Sequence, residues 1–167
     1  PAAKPDAPGN HGENGRAVVD DQDIIYREAA DAKPKEAKSS APKVIKKPGE
    51  AVWRRTITPD PTLLFRYSAL IFNAHRIHYD LPYVTKEEGY PYLIFHGPLT
   101  AVVLLDLFHR ENPDATVTQF NYRADAPLFG DHPFDVCGEP SSDGKSAKVW
   151  TENHKGTPTM TGTIEAK

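Results

Sequence analysis

One fifteen-residue run, PLTAVVLLDLFHREN (residues 98–112), constrains the fold more than any other stretch. Proline suits a first helical turn, where its missing N–H would have no intrahelical partner. Leu99, Val102, Val103, Leu105 and Leu107 make the run apolar on nearly every side, which predicts a helix enclosed by the rest of the chain. Asn112-Pro113 stops it. The sequence beyond is β-patterned: VTQFNYRADAPLF, HPFDVCGEP, KSAKVWTENHKG and PTMTGTIEA, separated by the turn-like GDH, SSDGK and KGTP. Antiparallel strands following one enclosed helix predict an α+β fold, with a curved antiparallel sheet wrapped around a central buried helix.

Ahead of that helix, Val52 to Ile57 alternates like a strand. Thr58-Pro59-Asp60-Pro61 reads as a turn, and Thr62 as the cap of a helix from about Leu63. Leu64, Tyr67, Ser68 and Ile71 fall at helical spacing on one face. Pro82, Gly89 and Pro91 punctuate what reads as an irregular connection up to Gly97.

The first fifty residues differ in character. Residues 1–14 are rich in Pro, Gly, Asn and Ala and read as a loop or disordered end. Residues 15–28 contain the β-branched clusters Val18-Val19 and Ile24-Ile25 and read as strand. Residues 29–50 are dominated by Ala, Lys, Pro and Ser, the composition of a flexible linker. The lone methionine is Met160, so a chain beginning at Pro1 is expected to be processed or a fragment.

Composition excludes some functions. A net charge of −3 argues against a nucleic-acid or anionic-membrane footprint, and no apolar stretch is long enough to span a bilayer. Cys137 is the single cysteine, which leaves no intrachain disulfide and no thiolate zinc cluster. A cytoplasmic or mitochondrial-matrix location is the expectation that fits.

The chemistry concentrates in FNAHRIHYD (residues 72–80) and FHGPL (residues 95–99). A metal site could draw on His75, His78, Asp80 and His96, but their spacing matches no zinc signature such as H-E-x-x-H. A purely structural reading leaves polar groups wedged between the apolar runs SALIF and YPYLIF, where each must be satisfied or useful. A catalytic reading starts at Gly97. Unpaired backbone N–H groups and the positive end of the helix dipole would face outward there, ready for a carbonyl oxygen that gains charge. His78, folded over that terminus, could then move a proton beside a thioester.

The run YSALIFNAHRIHYDLPYVTKEEGYPYLIFHGPLTAVVLLDLF resembles the MaoC-like hydratase group of the hotdog superfamily, and within it the mesaconyl-CoA hydratase and 3-hydroxyacyl-thioester dehydratase type 2 branch. The resemblance covers roughly residues 51–167 and is densest from Phe65 to Leu107. It implies a hotdog fold and a hydro-lyase acting on an α,β-unsaturated or 3-hydroxyacyl thioester of coenzyme A or acyl carrier protein, with no further cofactor. It places His78 on the family's catalytic histidine and Gly97 on the glycine whose N–H binds the thioester carbonyl. The family's aspartate, five residues before the histidine, is Asn73 here. Asparagine can orient a water but cannot accept its proton. Either His78 works alone or a carboxylate such as Asp80 assists. His75, His96 and Arg76 are further candidate supporting residues, and Tyr67, Phe72 and Tyr90 are pocket walls or core. The resemblance also implies that residues 15–28 end a mostly missing first hotdog module, that 51–167 form the catalytic one, and that the partner is a second copy or a second module. The rival readings are a noncatalytic acyl-thioester-binding module, or inactive fragment, and a hotdog thioesterase.

Overall fold

The computed structural model describes residues 18–23 and 45–167. The loop expected over 1–14 lies outside them, as do residues 15–17 and 24–28 of the expected strand and 29–44 of the expected linker. Residues 18–23 belong to neither helix nor strand.

From Trp53 the chain runs β1 (Trp53–Ile57), α1 (Pro61–Leu70), a 3₁₀ turn (Arg76–His78), α2 (Leu81–Lys86), α3 (Gly97–Glu111), β2 (Val117–Ala124), β3 (Phe134–Pro140), β4 (Ser146–Glu152) and β5 (Pro158–Ala166). The strands form one antiparallel sheet in the order β1-β3-β4-β5-β2, with α3 packed against β1, β3 and β4. Alternate residues of the sheet, Phe134 and Val136, Ala147 and Val149, Met160 and Ile164, meet Leu104, Leu107 and Phe108 of α3 in the core. The expected α+β architecture is present.

Several local expectations change. Asp60, not Thr62, caps α1: its carboxylate accepts from the Leu63 N–H at 2.9 Å, and Pro61 takes the first helical position. The connection after the 3₁₀ turn is not wholly irregular, because Asp80 caps α2 and Pro82 falls in its first turn, where proline is tolerated. The helix α3 is not enclosed all round. Its buried face carries Leu99, Thr100, Ala101, Leu104, Leu107 and Phe108, while Val102 is 51% exposed. The linker's last residues are also anchored: Lys47 pairs at 2.8 Å with the buried Glu152, which accepts the Trp150 indole N–H at 2.7 Å.

The end of α1 shapes the stretch that follows. Asn73 N–H donates to Ser68 O at 2.9 Å and Phe72 N–H to Ala69 O at 3.3 Å, the paired bonds of a Schellman motif. Its left-handed position, where glycine is usual, holds Phe72 at φ 55 with its side chain 94% exposed. A phenylalanine there is strained by about 1–2 kcal/mol. Phe72→Gly should therefore raise stability, by about 0.5–1 kcal/mol after the glycine's own entropic cost. Chemical denaturation checks this; a destabilised variant would mean that the exposed ring makes contacts that hold the fold.

Candidate active site

Backbone pairing joins the two polar stretches. Ile94 N–H donates to Ile77 O at 3.0 Å, Phe95 N–H to Leu128 O at 2.7 Å, and Gly130 N–H to Leu93 O at 2.9 Å. Residues 93–95 are thus laced between the 3₁₀ turn on one side and residues 128–130 on the other. This brings His78 to the residue that precedes Gly97.

His78 is buried, and its Nδ1 lies 2.8 Å from Ile94 O. A carbonyl can only accept, so Nδ1 carries the proton and Nε2 presents a lone pair. Burial lowers the His78 pKa, opposed by the bond to Ile94 and reinforced by His75. The ring is therefore neutral at neutral pH, as a base requires. It stacks on His96 with centroids 3.7 Å apart and planes 17° from parallel.

His96 is wholly buried and caps α3 without a side-chain cap bond. Its Nε2 is 2.8 Å from the Ser68 hydroxyl, and Tyr67 meets the ring edge-on at 4.9 Å. Burial, with a smaller contribution from His78, pushes its pKa down to about 4. The Tyr67 hydroxyl is shifted up, first by burial and then by neighbouring Tyr122.

Gly97 opens the helix with no acceptor for its N–H among the described residues. Its φ is not in the left-handed region, and a Cβ built on it meets nothing within 4 Å. Neither backbone geometry nor crowding thus demands glycine here. The open space beside the helix terminus is available to a ligand instead.

The other predicted residues divide. Asn73 lines an open depression of about 300 Å³ together with Ser68, Phe65, Phe72 and Tyr79. Its Oδ1 accepts the His75 N–H at 3.0 Å, which leaves its amide N–H₂ to donate. Asp80 is committed elsewhere. It caps α2 and accepts from Arg76 at 2.7 and 3.0 Å, and Arg76, with the Tyr83 N–H next, lowers its pKa. A carboxylate so paired is a poor proton acceptor. Arg76 is engaged by that pair and by the face of Tyr83 at 4.1 Å. His75 is exposed and lies edge-on to His78 at 5.8 Å.

The core reading holds for Tyr67, which packs against the core, and fails for Phe72, which is exposed at the depression. Tyr90 is partly exposed beside Phe129. No three His, Cys, Asp or Glu side chains among the described residues are arranged to hold a metal. His78 and His96 stack face to face instead of converging their nitrogens on a point. Sequence reasoning missed Ser68, which was counted as one more position on the packed face of α1. A lone hydroxyl among Leu64, Tyr67 and Ile71 was the available signal.

A family model described as hydroxyacyl-thioester dehydratase type 2 matches residues 6–130. The chain belongs to this dehydratase family. Mesaconyl-C(4)-CoA hydratase of Chloroflexus aurantiacus is 46% identical over 126 residues, which make up 75% of this chain and 43% of that protein. The mitochondrial hydroxyacyl-thioester dehydratase type 2 of Schizosaccharomyces pombe is 42% identical over 82 residues, 48% of this chain and 27% of the relative. The chain thus spans less than half the length of these curated relatives. The (R)-hydratase of A. caviae involved in PHA biosynthesis superposes with a TM-score of 0.57 at 17% identity, covering 73% of this chain and 98% of that one. That likeness establishes the hotdog fold for this member of the dehydratase family.

The buried imidazole of His96 makes stability sensitive to acid. Its folded pKa of about 4 lies below the ordinary 6.5, so the unfolded chain binds the extra proton between these values. This contribution is intact above pH 6.5 and is lost as pH falls toward 4. The melting temperature of His96→Phe relative to the wild type should rise steadily across that window. Parallel curves from pH 6.5 to 4 would contradict the burial of a neutral His96.

Proposed function

We propose that this chain carries the catalytic half of a hydro-lyase that adds water across an α,β-unsaturated acyl thioester, or eliminates it from the 3-hydroxyacyl compound. The observation that carries the reading is the pairing of a neutral, oriented His78 with a helix terminus whose glycine the fold does not itself require. The names of the two curated relatives support the same reaction class.

In the hydration direction, the thioester carbonyl approaches Gly97 and accepts its N–H. The helix terminus then stabilises the negative charge that develops as an enolate forms. A water held by the Asn73 amide donates its proton to His78 Nε2 while its oxygen attacks the β-carbon. The imidazolium returns the proton to the α-carbon. Atoms balance without any redox step, and the thioester itself activates the β-carbon toward water and, in the reverse direction, the α-carbon toward loss of its proton. The acyl carrier is coenzyme A or acyl carrier protein, both of which present this same group.

The partner in this proposal is a second hotdog unit, either another copy or a first module of the same protein. β2 is an edge strand whose exposed residues include Tyr122, and exposed edges of this kind invite pairing. A partner pairing along β2 would extend the sheet at that edge. The half-exposed Val102 on α3 and the family match that extends back to residue 6 fit the same reading.

Loss of ultraviolet absorbance from an enoyl-CoA panel, including crotonyl-CoA and mesaconyl-CoA, measures the reaction. His78→Ala should lower kcat/KM by about 10²–10⁴-fold. Gly97→Ala keeps the N–H but puts a methyl in the space through which the carbonyl approaches it, and should lower kcat/KM by about 10²-fold, while stability stays level or rises by about 0.4–1 kcal/mol. Equal background rates for the wild type and both variants would overturn the catalytic reading in favour of a binding module. Release of free thiol without hydration would identify a thioesterase.

A further inference from the structure

His96 takes no part in the chemistry above, yet it is a wholly buried polar side chain at the site. Ser68 holds one of its nitrogens, Tyr67 packs against its edge, and Nδ1 has no partner among the described residues. A phenylalanine would fill this space without a polar atom to desolvate. An imidazole buried with one nitrogen unsatisfied calls for a reason beyond packing.

We propose that His96 is a positioning residue: clamped by Ser68, it is the platform against which the His78 ring is held with Nε2 presented to the substrate. The inference rests on the reading of His78 as the proton carrier. The Ile94 carbonyl fixes His78 at a single atom and leaves the ring free to turn about the Nδ1···O line. A face contact at 3.7 Å removes that freedom, and the Ser68 bond removes the matching freedom of His96. Proton transfer tolerates little misorientation, so two such constraints have a direct kinetic consequence.

Charge favours the same arrangement. When His78 takes up a proton, its cation lies on the π face of a neutral ring, an attractive contact, whereas two stacked imidazoliums would repel. The other titratable groups around the pair are Tyr67 from α1 and His75, which caps the 3₁₀ turn and lies edge-on to His78. Burial keeps the platform uncharged down to a pKa of about 4.

The test uses the full chain, crotonyl-CoA and the variants His96→Ala, His96→Phe, Ser68→Ala and the double variant Ser68→Ala/His96→Phe. His96→Ala should lower kcat about 100-fold with KM within about twofold, because the residue orients the base and touches no substrate. Ser68→Ala and His96→Phe, which each remove the clamp and keep a stacking ring, should each lower kcat by about 10-fold. The double variant should be no worse than His96→Phe, since the Ser68 hydroxyl is engaged by His96 even though the residue borders the depression. Histidine-selective ¹⁵N NMR gives a readout independent of turnover: the His78 Nδ1–H resonance should be sharp in wild type, weakened in Ser68→Ala and exchange-broadened in His96→Ala. Additive losses, a raised KM at unchanged kcat, or an unchanged His78 resonance in the variants would overturn the proposal. If the wild-type chain hydrates no member of the enoyl-CoA panel, the functional reading has failed, and the resonance alone decides whether His96 positions His78. If His96→Ala does not fold, Ser68→Ala, which removes only a hydroxyl, decides by both readouts.

Discussion

His78 donates one ring nitrogen to the carbonyl of Ile94, and most of the site depends on that bond. It fixes the tautomer and leaves Nε2 as the basic atom. It also ties the 3₁₀ turn to the extended residues that lead into α3, together with the return bond from Ile94 N–H to Ile77 O. Without this lacing, the histidine and the helix terminus would sit on two independently mobile stretches. With it, His78 stacks directly on the ring of His96, the residue preceding the free N–H of Gly97.

The same terminus explains why a glycine stands where the fold permits any small residue. Helix N-termini leave donors unpaired as a matter of geometry, and most proteins cover them with a side-chain cap. His96 supplies none, because its ring is turned to Ser68 and His78 instead. The uncapped donor and the buried imidazole are thus two results of one choice of rotamer. The desolvation that keeps both histidines neutral also leaves the Gly97 N–H a stronger partner for a developing charge than it would be in water.

Much of this was legible in the sequence, for identifiable reasons. The helix α3 announces itself by its apolar run and by Pro98, and the strands by their alternation and turns. His78 and Gly97 stand out in the sequence through the resemblance of NAHRIHYD and HGPL to the family's motifs, and the fold brings these two stretches together. The remainder depends on three-dimensional competition that spacing does not record. Asp60 and Thr62 are both good caps, and Pro61 decides between them by occupying the first helical position. Pro82 reads as punctuation until its place in a first turn is known. Asp80 looked available as a carboxylate, but Arg76 lies one turn before it and takes it. Val102 looked like core because a pattern that is apolar all round does not say which side stays uncovered. Ser68 was invisible because its partner lies 28 residues away.

In the proposed mechanism Gly97 polarises the thioester carbonyl while His78 moves the proton of the water that adds across the conjugated double bond. A crystal structure of the His78→Asn variant with a bound enoyl-CoA tests it most directly. The thioester carbonyl oxygen should lie about 2.7–3.1 Å from the Gly97 nitrogen, with the alkene carbons facing residue 78 and Asn73. A ligand whose carbonyl points away from Gly97, or whose acyl group lies outside the depression beside Asn73, would contradict it.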